Sequence, residues 1–307
     1  MKLAVLFSGQ GSQFVNMGLD LINSNPQIYE RIKLFEKELD LPLLKILSNE
    51  ELLNDTRYTQ PAMVLYQILL YDRLKEKYNL KIDGFTGFSL GEFSSFYATN
   101  IFNDLDTLKI VNKRALLMQE ASKKINGKMA AIIGLDDKTV EEVCKEISTP
   151  DDFVSPVNYN SPGQLVISGS FIKVSEAINL LKEKGAKRAL MLNVSGPFHS
   201  KYMENASELL FDYVKNFKSN KPNNLVYINT NAKILKDDEI YQEIRKQIMM
   251  PVYFKQSIEN MAKDGYTHFL EIGPGKVLYN LIKRINPSLE VFHYDNNSDL
   301  EKLKEIF

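Results

Sequence analysis

The sequence predicts an α/β protein whose large subdomain holds a parallel sheet and carries a smaller, ferredoxin-like subdomain as an insertion. Three observations lead there. Apolar runs of strand length alternate with helical patterns of ten or more residues up to about residue 124 and again beyond residue 195. Between these stretches the order of elements changes to β-α-β-β-α-β, that of a ferredoxin-like unit. No low-complexity linker separates the two patterns, so the insertion is expected to pack on the large subdomain with a cleft between them. The expected boundaries are 1–124 and 195–307 for the large subdomain and 125–194 for the small one.

Taken in order, Leu3–Phe7 is an apolar run of strand length that ends in the loop Ser8-Gly9-Gln10-Gly11-Ser12-Gln13. Helical patterning covers Met17–Ile22, Ile28–Leu39 and Thr59–Tyr78, with Pro61 placed in a first turn, where its missing N–H costs nothing. Ile82–Thr86 reads as a short buried strand and Glu92–Ala98 as the start of a helix. A long helix is expected from about Leu105 to Lys124, capped by Asn103 or Asp104. In the insertion, Met129–Gly134, Val154–Asn158, Gln164–Gly169 and Arg188–Asn193 are expected strands, and Lys138–Ile147 and Ile172–Lys184 expected helices. Leu225–Asn229 and Thr267–Ile272 are further strands, with helices at Glu239–Ile248, Ser257–Lys263 and Gly275–Ile285.

Composition narrows the function classes. With 44% hydrophobic and 25% charged residues over 307 positions, the chain can build a substantial core. The 38 basic residues nearly balance the 39 acidic ones, which argues against a nucleic-acid partner. One cysteine, Cys144, allows no disulfide framework and is expected as a small buried helix residue. The three histidines lack ligand-like spacing, so no metal is expected. The opening apolar run is too short for a signal-peptide core and no run reaches membrane-spanning length, so a soluble, cytoplasmic protein is expected.

Gly87-Phe88-Ser89-Leu90-Gly91 fits G-x-S-x-G, which displays a reactive serine on a sharp strand-to-helix turn. A serine nucleophile needs a base, something to orient that base, and donors for the oxyanion. His199, on the loop Ser195-Gly196-Pro197-Phe198-His199, is the best placed base, against the alternative of a satisfied structural histidine. His268, inside an apolar strand, reads as structural, and His293 sits among surface-like residues. Six aspartates lie between the serine and His199 (Asp104, Asp106, Asp136, Asp137, Asp151 and Asp152), and nothing distinguishes one as orienter; a carbonyl oxygen could serve instead. The Leu90 N–H is one candidate oxyanion donor, and the Ser8–Gly11 loop either supplies a second or is an ordinary tight turn. Arg114 shares a helix face with Val111 and Met118, so its guanidinium is expected to be buried and in need of an anion, either a structural acid or a substrate carboxylate. Gly273-Pro274-Gly275 lacks the spacing of a phosphate loop and reads as a packing turn.

Together the segments Gly9–Gln13, Gly87–Glu92, Lys113-Arg114 with Met118–Ala121, Asn158–Gln164, Ser195–Ser200 and Glu271–Lys276 resemble the malonyl-CoA:acyl carrier protein transacylase family, in order and over nearly the whole chain. The resemblance implies a hydrolase-like α/β large subdomain and the ferredoxin-like small one. It implies Ser89 as nucleophile, His199 as general base, and the backbone N–H groups of Gln10 and Leu90 as the oxyanion hole. Arg114 would clamp the malonyl carboxylate, and Gln247, which the chemistry of the residues alone did not single out, would stand near the histidine. Met118, Phe198 and Asn160 would line the substrate pocket. Phe88 departs from the family, which commonly has histidine before the nucleophile.

The implied reaction passes malonyl from malonyl-CoA through a malonyl-serine to the phosphopantetheine thiol of holo acyl carrier protein, for fatty acid biosynthesis. No cofactor bound by the enzyme, no nucleic acid and no membrane are implied, and a monomer is expected. The alternatives are a serine thioesterase or hydrolase on the same scaffold, a trans-acting acyltransferase of polyketide synthesis, and a catalytically silent carrier-binding protein. The cluster Lys182, Lys184, Lys187 and Arg188 would be either a docking rim for an acidic carrier or a solvated face.

Overall fold

Nine strands form, at β1 (Leu3–Phe7), β2 (Gly84–Gly87), β3 (Gly127–Ile133), β4 (Val154–Ser161), β5 (Gln164–Ser170), β6 (Arg188–Met191), β7 (Val226–Tyr227), β8 (His268–Ile272) and β9 (Glu290–Tyr294), in the computed structural model, which describes residues 1–304. Five of them make a parallel sheet in the order β7-β2-β1-β8-β9, and four make an antiparallel sheet in the order β4-β5-β3-β6. Every residue of β1 and β2 is buried, as expected for central strands with helices on both faces. The order of the smaller sheet is that of the ferredoxin-like unit, with helices Asp137–Ile147 and Phe171–Glu183 as its crossovers. Cys144 is buried on the first of these helices.

The helix Thr56–Lys77 lies under the parallel sheet and is buried on nearly all sides between Thr59 and Tyr71, so no apolar stripe marks it. It starts three residues before the expected Thr59 because the Asp55 side chain accepts the Arg57 N–H and caps it. Pro61 therefore stands inside the helix rather than in its first turn. The helix Asp104–Lys124 is capped by Asn103, whose side chain accepts the Asp106 N–H at 2.8 Å. Asp104 and Asp106 in its first turn and Lys123 and Lys124 in its last complement the helix dipole.

The structure differs from the sequence expectation at two places near the site. The strand expected over Leu225–Asn229 shrinks to Val226–Tyr227, because the Asn229 N–H leaves the ladder for the Glu92 carboxyl at 2.7 Å. The chain beyond Ile285 adds the edge strand β9, where His293 is not a surface residue: its Nε2 lies 3.1 Å from the Gly273 carbonyl and its side chain is largely covered.

Candidate active site

The serine turn works because nothing larger than hydrogen fits on either side of it. A Cβ on Gly87 would come 2.0 Å from the Gly91 carbonyl carbon, and one on Gly91 would come 2.0 Å from the Phe7 carbonyl oxygen. Ser89 itself takes φ 51°, the left-handed conformation an L-residue avoids, and the helix Gly91–Ala98 follows at once. Asn229 secures this strained turn. Its Oδ1 accepts the Ser89 N–H at 2.7 Å and its Nδ2 donates to the Gly87 carbonyl at 2.6 Å. One side chain thus ties the turn at two points to the segment that follows β7.

His199 also sits at positive φ, 59°, on the loop that leaves the small subdomain. Gly196 lets that loop press onto the helix Asp104–Lys124, where any Cβ would meet Ser122 Oγ at 1.9 Å. His199 Nε2 lies 2.7 Å from Ser89 Oγ. On the other side of the ring, Nδ1 faces two carbonyl oxygens, of Gln247 at 2.9 Å and of Met250 at 3.2 Å. Carbonyls only accept, so Nδ1 carries the proton and Nε2 is left to accept from the serine hydroxyl. None of the six aspartates weighed from the sequence bonds to His199 among the described residues, and the orienter is the backbone. Burial, and the positive charge of Arg114, pull the imidazole pKa down to about 4 against the two carbonyls, so the ring is neutral at physiological pH.

Arg114 is 1% exposed, yet among the described residues no carboxylate bonds to it. Its Nη1 donates to Gln60 Oε1 at 2.5 Å, while Nε and Nη2 share Gln247 Oε1 at 3.3 and 3.1 Å. Nη2 also donates to Ser89 Oγ at 3.2 Å, and the Phe93 ring lies 5.4 Å from the guanidinium carbon. Burial lowers the guanidinium pKa to about 9, with Glu92 opposing, and the group remains a cation at neutral pH. Gln247 does more than the sequence implied: its carbonyl orients the histidine, its Oε1 holds Arg114, and its Nε2 donates to the Ser89 carbonyl at 2.5 Å.

A cleft of about 910 Å³ opens over these groups between the two sheets. Ser89, His199, Arg114, Met118 and Phe198 line it, as do Gln10 and Leu90. Among the described residues no acceptor takes the backbone N–H of Gln10 or of Leu90. Asn160 is the exception and needs correcting. It is not part of the lining, and Asn158 occupies that place, because β4 slips register on either side of Asn158 and Tyr159. Phe88 packs edge-on against Phe254 at 5.5 Å and takes no part in the serine–histidine pair.

Comparison with known proteins bears on this geometry. The acyl transferase domain pattern matches residues 5–292. A malonyl CoA-acyl carrier protein transacylase of Staphylococcus aureus is 39% identical, over 99% of each chain. The chain belongs to the malonyl-CoA:acyl carrier protein transacylase family. Among solved structures, the transacylase of Xanthomonas oryzae is similar at a TM-score of 0.94 and 33% identity, covering 100% of this chain and 98% of that one. A malonyl-transacylase solved with the holo acyl-carrier protein of a type II polyketide synthase is similar at 0.95 and 33%, over the whole of both chains.

Within this transacylase framework, the sequence reading missed Asn229 and Gln60. Asn229 ends an apolar run and Gln60 lies in a helix without periodicity, so neither position carried a signal beyond being polar within apolar surroundings.

Proposed function

We infer that the chain is an acyltransferase that moves malonyl from malonyl-CoA to the phosphopantetheine thiol of a holo acyl carrier protein, in fatty acid biosynthesis. One observation carries the choice of acyl group. A buried guanidinium with no carboxylate partner among the described residues lies 3.2 Å from the nucleophile, which favours an acyl group that brings its own anion.

In this mechanism the malonyl carboxylate binds Arg114 and the thioester carbonyl sits over Ser89. His199 takes the hydroxyl proton at Nε2 as Ser89 Oγ attacks, with the imidazolium held by the Gln247 and Met250 carbonyls. The N–H groups of Gln10 and Leu90 receive the oxyanion, each worth about 10²–10³ in rate. His199 then protonates the CoA thiolate as the carbon–sulfur bond breaks. The carrier's thiol repeats the steps in reverse, giving its proton to His199 and attacking malonyl-Ser89. Met118 and Phe198 shape the acyl pocket.

The division into 1–124 with 195–307 and 125–194 belongs to this reading, with the acyl group held between the two parts. The enzyme works as a cytoplasmic monomer without a bound cofactor. Among the described residues no helix is long and apolar enough to cross a membrane, which supports that setting.

Intact-protein mass spectrometry after mixing with malonyl-CoA tests the reading. A malonyl adduct lost in Ser89→Ala, stable in buffer and discharged by holo carrier protein, is expected. An adduct that hydrolyses as fast without the carrier as with it would make the chain a thioesterase.

A further inference from the structure

Arg114 is held by amides where acids would be the ordinary choice. Gln60 is fully buried, its Oε1 accepts from Nη1 at 2.5 Å, and its Nε2 points at Met118 Sδ, 3.6 Å away on the cleft wall. Gln247 is equally buried and presents the same neutral oxygen from the other side. The nearest acid in electrostatic reach, Glu92, spends Oε1 on the Asn229 N–H and does not bond to the guanidinium. Burial and the neighbouring Glu243 push its carboxyl well above the usual carboxylate range. A guanidinium has five N–H donors. Those on Nε and Nη2 are engaged, and one hydrogen on Nη1 is left without an acceptor among the described residues.

We propose that Gln60 sets the preference for carboxylated acyl groups by holding Arg114 through a neutral oxygen, which leaves the substrate's carboxylate as the only anion able to pair with it. The proposal rests on the reading of Arg114 as the carboxylate clamp and deepens it. An amide oxygen orients the guanidinium as well as a carboxylate would, without cancelling its charge. A glutamate of the same shape at position 60 would form an internal ion pair at this short distance. The acyl carboxylate would then meet a neutral pair and, beside it, a like charge, an unfavourable juxtaposition in a desolvated site. Uncarboxylated acyl groups such as acetyl would feel neither effect.

The test measures acylation of Ser89 by malonyl-CoA and acetyl-CoA, as kcat/KM, in Gln60→Glu and Gln60→Leu. Gln60→Glu is expected to lose about 10²-fold or more with malonyl-CoA and to keep acetyl-CoA within about threefold, the second value also certifying the fold. Gln60→Leu removes the hydrogen bond but adds no charge. It should lower malonyl transfer by less than about tenfold and leave the malonyl-to-acetyl ratio close to that of the unaltered protein. Gln247→Glu, which places the same charge on the other side of Arg114, should shift the ratio in the same direction. An unchanged ratio in Gln60→Glu, or an equal shift in Gln60→Leu, would overturn the proposal. Loss of both substrates alike in Arg114→Ala would instead remove the clamp reading on which it rests.

Discussion

Arg114 Nη2 stands 3.2 Å from Ser89 Oγ, so the cation that would hold the substrate's carboxylate touches the atom that would hold its carbonyl carbon. The two functional ends of a malonyl group are separated by a single methylene, and this contact is on the same scale. It also ties the electrostatics of the clamp to those of the base, because Arg114 is one cause of the lowered His199 pKa.

The first prediction follows from that coupling. In the proposed mechanism the neutral imidazole is the active form, so activity persists above its pKa and is lost as pH falls through it. For free enzyme this lies at about 4, and kcat/KM for malonyl-CoA should stay level through pH 6.5, where an ordinary histidine would titrate. A bound carboxylate cancels much of the charge on Arg114, so the acid limb of kcat should lie at higher pH than that of kcat/KM. Stopped-assay pH profiles check both, and an acid limb of kcat/KM near 6.5 would contradict the burial argument.

Asn229→Ala should weaken both fold and catalysis. It leaves the Ser89 N–H and the Gly87 carbonyl without their partners, at about 1–3 kcal/mol for each group that stays buried. Urea unfolding should show the loss, and kcat should fall more than KM rises, since the serine turn rather than the cleft wall is disturbed. A variant of unchanged stability and unchanged kcat would mean that the turn holds itself.

Phe198 lines the cleft directly before His199, where in the proposed mechanism its ring would limit the room beside the acyl methylene. Phe198→Ala should raise methylmalonyl-CoA use relative to malonyl-CoA by about tenfold, the modest factor that one methyl group commands. Competition between the two acyl-CoAs for Ser89, read by intact mass, gives the ratio. No change would place the limit on branching elsewhere in the pocket.

Much of this site was legible in the sequence where local geometry alone dictates the residue. Gly87 and Gly91 are required by contacts of 2.0 Å, so the serine turn announced itself. The ferredoxin-like unit was readable from its order of elements, β-α-β-β-α-β, which differs from the alternation on either side of it. Groups that act through long-range contacts were not readable. Gln60 and Asn229 reach Arg114 and Ser89 across 54 and 140 residues, and nothing local distinguishes them from other buried amides. The orienter of His199 was hidden for a different reason, since a backbone carbonyl has no sequence signature. Asn160, which the resemblance placed in the pocket, lies outside the cleft lining, where the register slips in β4 bring Asn158 instead. The edge strand β9 was overlooked, its alternation being broken by His293, which turns inward to the Gly273 carbonyl.

If the buried cation awaits the substrate's own carboxylate, Arg114→Ala should separate carboxylated from uncarboxylated acyl groups. The measurement is kcat/KM for Ser89 acylation by malonyl-CoA and by acetyl-CoA in the variant and the unaltered protein. Removing one partner of a buried charged pair costs about 2–5 kcal/mol, so malonyl-CoA should lose roughly 10²–10³-fold while acetyl-CoA changes by less than about tenfold. Equal losses for both substrates would show that Arg114 only holds Ser89 and Gln247 in place and does not bind the carboxylate.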